Sequence, residues 1–246
     1  MRVSGSFDLV ILDCDGVLID SEPLACAVDA EIYTAAGYAI TAEEVMLRFV
    51  GFSGKDVDAM IGRDLGHSLP DGYDADYTQR LHAVFRRELK AIDGVFELFD
   101  DLAERNIAFC VASSSSPERL RFTLELTNLW QRVAPHVFSS TLVARGKPAP
   151  DLFLYAADKM GADPARCVVV EDSTAGVEAA RAACMHVIGF CGGGHCRSDH
   201  ADRLTRAGAH AVVAHMKLLR EMLGRGDPNF DASDAGELGN GDIARR

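Results

Sequence analysis

Four apolar runs of strand length punctuate the chain: Leu9–Leu12, Ile107–Ala112, Cys167–Val170 and Val187–Phe190. Runs apolar at nearly every position, not at alternate ones, mark strands buried on both faces, as in a parallel sheet. Shorter pieces at Val137–Phe138 and Ala211–Val213 predict two further strands. Helical patterns fall between them at Val95–Glu104, Pro117–Leu126, Asp151–Met160, Thr174–Ala183, Asp199–Ala207 and His215–Leu223. This alternation predicts an α/β core: a Rossmann-like, doubly wound parallel sheet covered by helices on both faces.

Between the first and second strands lies a stretch of about seventy residues with helical patterns only, too long for an ordinary connection. Helices are predicted at Pro23–Ala36, closed by Gly37, at the capping box Thr41–Glu44, at Lys55–Ile61 and at Asp74–Ala91. The expected organisation is a core of residues 1–20 and 94–225 with a small helical cap domain, 21–93, inserted into it. Residues 226–246, rich in Gly, Asp and Asn, read as a flexible tail.

Composition narrows the partners. Hydrophobic residues make up 48% of the 246, ample for a packed core, and the formal net charge is -12. So acidic a chain is a poor general partner for a nucleic-acid backbone. No apolar stretch reaches the roughly 18 residues of a membrane span, and the first residues lack the pattern of a signal peptide. The 7 cysteines are odd in number and sit mostly in apolar runs, as Cys110 and Cys167 do, which fits reduced thiols and a cytoplasmic location. A monomer or weak homo-oligomer is expected.

The strand ends carry the candidate chemistry. The first run closes on Asp13-Cys14-Asp15-Gly16, two carboxylates beyond a buried strand, where open α/β sheets bind ligands. Such a pair could hold a cation, attack an electrophile, or do both. A calcium loop would need an acidic residue twelfth from Asp13, and Leu24 stands there. Ser113 and Ser114 follow the second run, Lys147 sits in the Pro-rich loop Gly146–Pro150, and Glu171-Asp172 follow the third. Each has a plain explanation alone: serines cap helices, lysines face solvent, acids suit helix N-termini. Their joint appearance at one rim points to a site. A second cluster, Cys191-Gly192-Gly193-Gly194-His195-Cys196 with His200 nearby, holds soft ligand types. A transition-metal site needs three or four converging ligands, and a mobile glycine loop offers little preorganisation, so these read as ordinary loop residues. Trp130 reads as a packing residue.

The stretches Asp13–Glu22, Val111–Ser114, Gly146–Asp151 and Val170–Gly176 together resemble the haloacid dehalogenase-like phosphohydrolases. They are similar to the helical-cap branch that includes 6-phosphogluconate phosphatases and β-phosphoglucomutases. The resemblance implies a Mg2+-dependent phosphatase acting on a small phosphorylated sugar, sugar acid or polyol. In that pattern Asp13 is the nucleophile and Asp15 the acid and base. Lys147, Ser113 and Ser114 hold the phosphoryl group; Asp13, Asp15, Asp172 and Glu171 serve the metal. Ser53 and Lys55 fall in the cap's specificity loop. A mutase would carry a histidine near Ala25, and none is there. A non-catalytic phosphometabolite sensor on the same fold would have no use for a nucleophile and an acid together.

Overall fold

The computed structural model describes residues 7–49, 54–69 and 73–225. The chain divides into two compact units, Met1–Ile19 with Ala91–Arg246 and Asp20–Lys90.

The first unit is a six-stranded, all-parallel sheet. Its strands are β1 (Leu9–Leu12), β2 (Ala108–Ser113), β3 (Val137–Ser139), β4 (Cys167–Glu171), β5 (His186–Phe190) and β6 (Ala211–Val213). The second unit is helical, with α1 (Glu22–Ala35), α2 (Ala42–Phe49), α3 (Gly54–Leu65) and α4 (Tyr73–Glu88). The sheet's helices are α5 (Val95–Glu104), α6 (Pro117–Leu126), α7 (Trp130–Val133), α8 (Asp151–Met160), α9 (Thr174–Ala182), α10 (His200–Ala207) and α11 (Met216–Arg225). Strand order is β3-β2-β1-β4-β5-β6.

Because parallel strands are covered on both sides, β1 and β4 are buried throughout. One face sends Leu9, Ile11, Cys110, Cys167, Val169 and Val187 into a core with Leu152 and Phe153 of α8, Val177 of α9 and Leu204 of α10. On β2, Phe109 stacks on Phe99 of α5 at 5.0 Å between ring centroids. All seven cysteines are free thiols. Among the described residues, no helix is long and apolar enough to cross a membrane.

The helical unit is organised around α1, which packs on α2 and α4. Tyr33 meets Phe49 edge-on at 6.3 Å. The capping box forms: the Thr41 N–H donates to the Glu44 carboxylate at 2.8 Å, and the Glu44 N–H to the Thr41 hydroxyl at 3.2 Å. Two helix ends differ from the sequence pattern by more than two residues. α3 runs past Ile61 to Leu65, and Gly66, at φ +77, ends it. α4 stops at Glu88, and Ala91 forms an antiparallel bridge to Ile19 instead. The one-turn helix α7 is too short to show a period. There Trp130 packs under the Arg121 guanidinium, 4.6 Å from its ring centroid. The tail 226–246 lies outside the described residues.

Candidate active site

The parallel register sets the residues after three adjacent strands at one height. Leu12 pairs with Val111 on one side and Val170 on the other. Asp13 therefore stands level with Ala112 and Glu171, and its N–H donates to the Val170 carbonyl at 3.0 Å. β1 is also where the strand order reverses, the position at which open α/β sheets leave a crevice beyond their carboxyl ends.

Lys147 reaches this point from the loop before α8. The loop is turned by an Ala149 N–H bond to the Gly146 carbonyl at 3.0 Å. It is also stapled by a two-pronged Arg145–Asp151 pair at 3.1 and 2.7 Å. The Lys147 ammonium donates to Asp13 Oδ1 at 2.6 Å, to the Ala112 carbonyl at 3.1 Å and to Glu171 Oε1. The Phe153 ring lies 5.0 Å from Nζ. Glu171 Oε2 accepts from the Ser173 N–H and hydroxyl, both at 2.9 Å. Both oxygens of Glu171 are thus engaged, one by the ammonium and one by Ser173, the N-cap of α9. Gly176 makes this possible, since a Cβ there would overlap the Glu171 carboxylate.

The charge balance is uneven. Asp13, Glu171 and Asp172 are all buried, 7%, 1% and 6% exposed, and share one ammonium. Burial, more than any neighbour, pushes the Asp13 carboxyl well above its usual range; Glu171 and Asp172 add to this and Lys147 opposes it. Asp172 is raised by burial first and Glu171 second, again against Lys147. Burial alone would lower the Lys147 ammonium, but Asp13 and Glu171 outweigh it and hold it above the ordinary lysine value. Two buried carboxyls whose charged forms are this disfavoured make a cluster that a divalent, oxygen-seeking cation would relieve.

The serine run divides its duties. Ser116 caps α6, accepting from the Arg119 N–H at 3.3 Å. Ser113 is buried, and its hydroxyl oxygen accepts from the Ser115 N–H at 3.1 Å. Ser114 is exposed, with its carbonyl held by the Ser140 hydroxyl at 3.0 Å. Two residues that the sequence reading did not single out then join the site. The Ser115 hydroxyl donates to Asp15 Oδ2 at 2.7 Å, and an Arg119 N–H donates to Asp15 Oδ1 at 3.4 Å. Their signal was the spacing: Ser115 and Arg119 stand four apart, one helical turn, beside the cap.

Asp172 has neighbours of its own. His195 Nε2 lies 2.9 Å from Asp172 Oδ2, and His200 Nε2 donates to the Asp172 carbonyl at 2.6 Å. Gly16, at φ +79, passes so close that a Cβ would come 2.8 Å from both Asp172 Cγ and His195 Cε1. The glycines after β5 serve close packing, contrary to the expectation of a mobile loop. A Cβ on Gly192 would lie 2.5 Å from the Ala214 carbonyl, and one on Gly193 would lie 2.8 Å from His195 Nδ1. Ser53 lies outside the described residues. Lys55 belongs to α3 by its backbone, and its side chain is likewise outside them.

A parallel sheet with this carboxylate–ammonium rim defines the class, and the family follows from comparison. The haloacid dehalogenase-like hydrolase profile matches residues 7–183. The chain belongs to that family. It is 28% identical over 190 residues to 6-phosphogluconate phosphatase of Escherichia coli K12, covering 76% of this chain and 84% of that protein. It superposes on a haloacid dehalogenase-like protein of Agrobacterium tumefaciens with TM-score 0.80 and 41% identity, covering 89% and 98% of the two chains. A family hydrolase from Deinococcus radiodurans, solved with bound phosphate and sodium, matches with TM-score 0.78 and 31% identity over 91% and 97%.

Proposed function

We propose that the chain is a magnesium-dependent phosphatase that hydrolyses a small phosphorylated sugar, sugar acid or polyol through an aspartyl-phosphate on Asp13. The observation that carries this is the Lys147 ammonium, 2.6 Å from Asp13 and shared with Glu171 at the sheet's switch point. An ammonium so placed compensates charge on a phosphoryl group arriving at Asp13. Relatives that act on phosphorylated carbohydrates support the substrate class.

In the first step an Asp13 oxygen attacks phosphorus and the ester P–O bond breaks. The leaving alkoxide takes a proton from Asp15, which Ser115 and Arg119 hold in place. In the second step Asp15 takes a proton from water, whose oxygen attacks phosphorus. The P–O bond to Asp13 breaks, releasing inorganic phosphate and restoring the carboxylate. Ser113 and the Ser114 N–H hold phosphoryl oxygens, and Lys147 stays on them throughout.

The residues fit Mg2+: Asp13, Asp172 and the Asp15 carbonyl are hard oxygen donors in an anion-rich, buried cluster. When bound, the ion supplies charge compensation between two anions and a fixed orientation for the ester. Glu171, occupied by Lys147 and Ser173, acts by orienting Lys147. The helical unit, inserted in sequence between Ile19 and Ala91, serves as the substrate-selecting cap.

Asp13→Asn tests the nucleophile. Hydrolysis of an aryl phosphate should fall by at least 1000-fold with the thermal midpoint little changed; turnover within 10-fold of wild type would refute the assignment. A panel of phosphorylated sugars and polyols, with and without Mg2+, tests the substrate class.

A further inference from the structure

We propose that His195, Cys196 and His200 form a binding site for a zinc-class divalent cation, with ligands of its own but adjoining the oxygen-donor cluster through Asp172. One ligand atom from each lies within 4.8 Å of the others. All three follow β5: His195 and Cys196 are adjacent, and His200 opens α10. The two histidines are separated by four residues, within the spacing of paired zinc histidines. Imidazole with thiolate is a borderline-soft set, unsuited to magnesium and suited to zinc.

Three features prepare these side chains for an ion. First, His200 must carry its proton on Nε2, because it donates to the Asp172 carbonyl at 2.6 Å. The lone pair is therefore on Nδ1. A ligating histidine braced by a carbonyl through its other nitrogen is the usual outer-sphere arrangement of zinc sites. Second, His195 is braced in the same way by the same residue, with Nε2 at 2.9 Å from Asp172 Oδ2. Cys196 Sγ lies 4.0 Å from its Nδ1 and 3.5 Å from its Nε2. The imidazoles cross at 90° with centroids 5.2 Å apart, so they do not stack face to face. Third, both histidines are buried, 4% and 7% exposed. Gly193 lets the backbone pass against His195, so the loop is seated before any ion arrives.

Tetrahedral zinc, with bonds of about 2.0–2.3 Å, separates its donors by about 3.3–3.6 Å. From separations of up to 4.8 Å, the set must therefore contract by up to about 1.5 Å. Three protein ligands leave the fourth position to water, which makes this an exchangeable site and not a closed structural one.

The site does not depend on the phosphatase reading, and its test does not use turnover. The full-length protein is titrated with Co2+ in excess Mg2+, which fills oxygen-donor sites. One equivalent should bind with a thiolate-to-cobalt charge-transfer band in the near ultraviolet. Cys196→Ser should abolish the band, and His200→Ala should weaken binding by at least 10-fold. Cys191→Ser and Cys184→Ser should leave the band intact. In wild type, Zn2+ should also slow alkylation of Cys196 at least 10-fold, mapped by peptide mass, and leave the exposed Cys184 unaffected. That measurement stands even if a variant fails to fold. Absence of the thiolate band in wild type, its survival in Cys196→Ser, or Zn2+-independent alkylation of Cys196 would each overturn the proposal.

Discussion

Gly176→Ala is the substitution whose outcome the structure constrains most tightly. At an ordinary position in a helix this change stabilises by up to about 1 kcal/mol, because alanine surrenders less backbone freedom on folding. Here Gly176 sits in the first turn of α9, its N–H bonded to the Ser173 hydroxyl at 3.0 Å. A Cβ would overlap the Glu171 carboxylate. That carboxylate cannot retreat without leaving both Lys147 and Ser173. Depriving a buried charge of its partner costs about 3–5 kcal/mol, so the net change is a loss of about 2–4 kcal/mol. For a chain of this size the thermal midpoint should drop by about 5–15 °C. Lys147 would lose one of its three acceptors, and kcat on an aryl phosphate should fall by about 100-fold. Denaturant melts and steady-state kinetics on the purified variant read both effects. Adding Glu171→Asp, which shortens the obstructing side chain, should recover part of the midpoint, a coupling a double-mutant cycle measures. If Gly176→Ala melts at or above the wild-type temperature with undiminished kcat, the close approach and the anchoring of Lys147 by Glu171 are both wrong.

Other consequences can be checked directly. Ser115→Ala and Arg119→Ala should each lower kcat by about 10-fold and change KM less, because they act on Asp15 and not on binding; an unchanged kcat in both would remove them from the site. Phe153→Ala, which empties a fully buried position beneath Lys147, should cost about 3–5 kcal/mol by urea unfolding. The pH dependence has a definite sign. Burial holds Asp13 and Asp172 well above the carboxyl value of 3.8, so the metal-free folded state binds more protons than the unfolded chain. The contribution of these two groups is full below that value and is lost as pH rises through the folded-state values. A cation must displace those protons. The gain in thermal midpoint from Mg2+ should therefore be larger at pH 8 than at pH 5, and an equal or reversed difference would contradict the protonation scheme.

The sheet was readable because its signal is dense. Leu9–Leu12 and Cys167–Glu171 are apolar almost without break and buried without exception, and runs this short and β-branched favour a covered parallel strand. Asp13 and Lys147 were equally accessible, each standing just past an apolar run or in a proline-stiffened turn. What stayed hidden depends on distance in sequence. That Glu171 bonds Lys147 and Ser173, with Gly176 passing beside it, could not be read from their order in the chain. His195 and His200 looked like loop residues because packing, not periodicity, brings them to Asp172. A row of glycines suggests freedom, yet Gly192 and Gly193 are there because their neighbours leave no room for a side chain. The ends of α3 and α4 were set by a turn glycine and a backbone bridge, neither of which leaves a periodic trace.

The central position of β1 also governs when this molecule becomes competent. β1 joins β2 across about a hundred residues of chain and β4 across about a hundred and sixty. Contacts separated so widely are late to form, since the intervening loop must first be closed. Asp13 therefore has no neighbours to work with until the middle of the sheet is complete. In a refolding experiment helical signal should return early, while catalysis should reappear only with the final, slowest rise in burial.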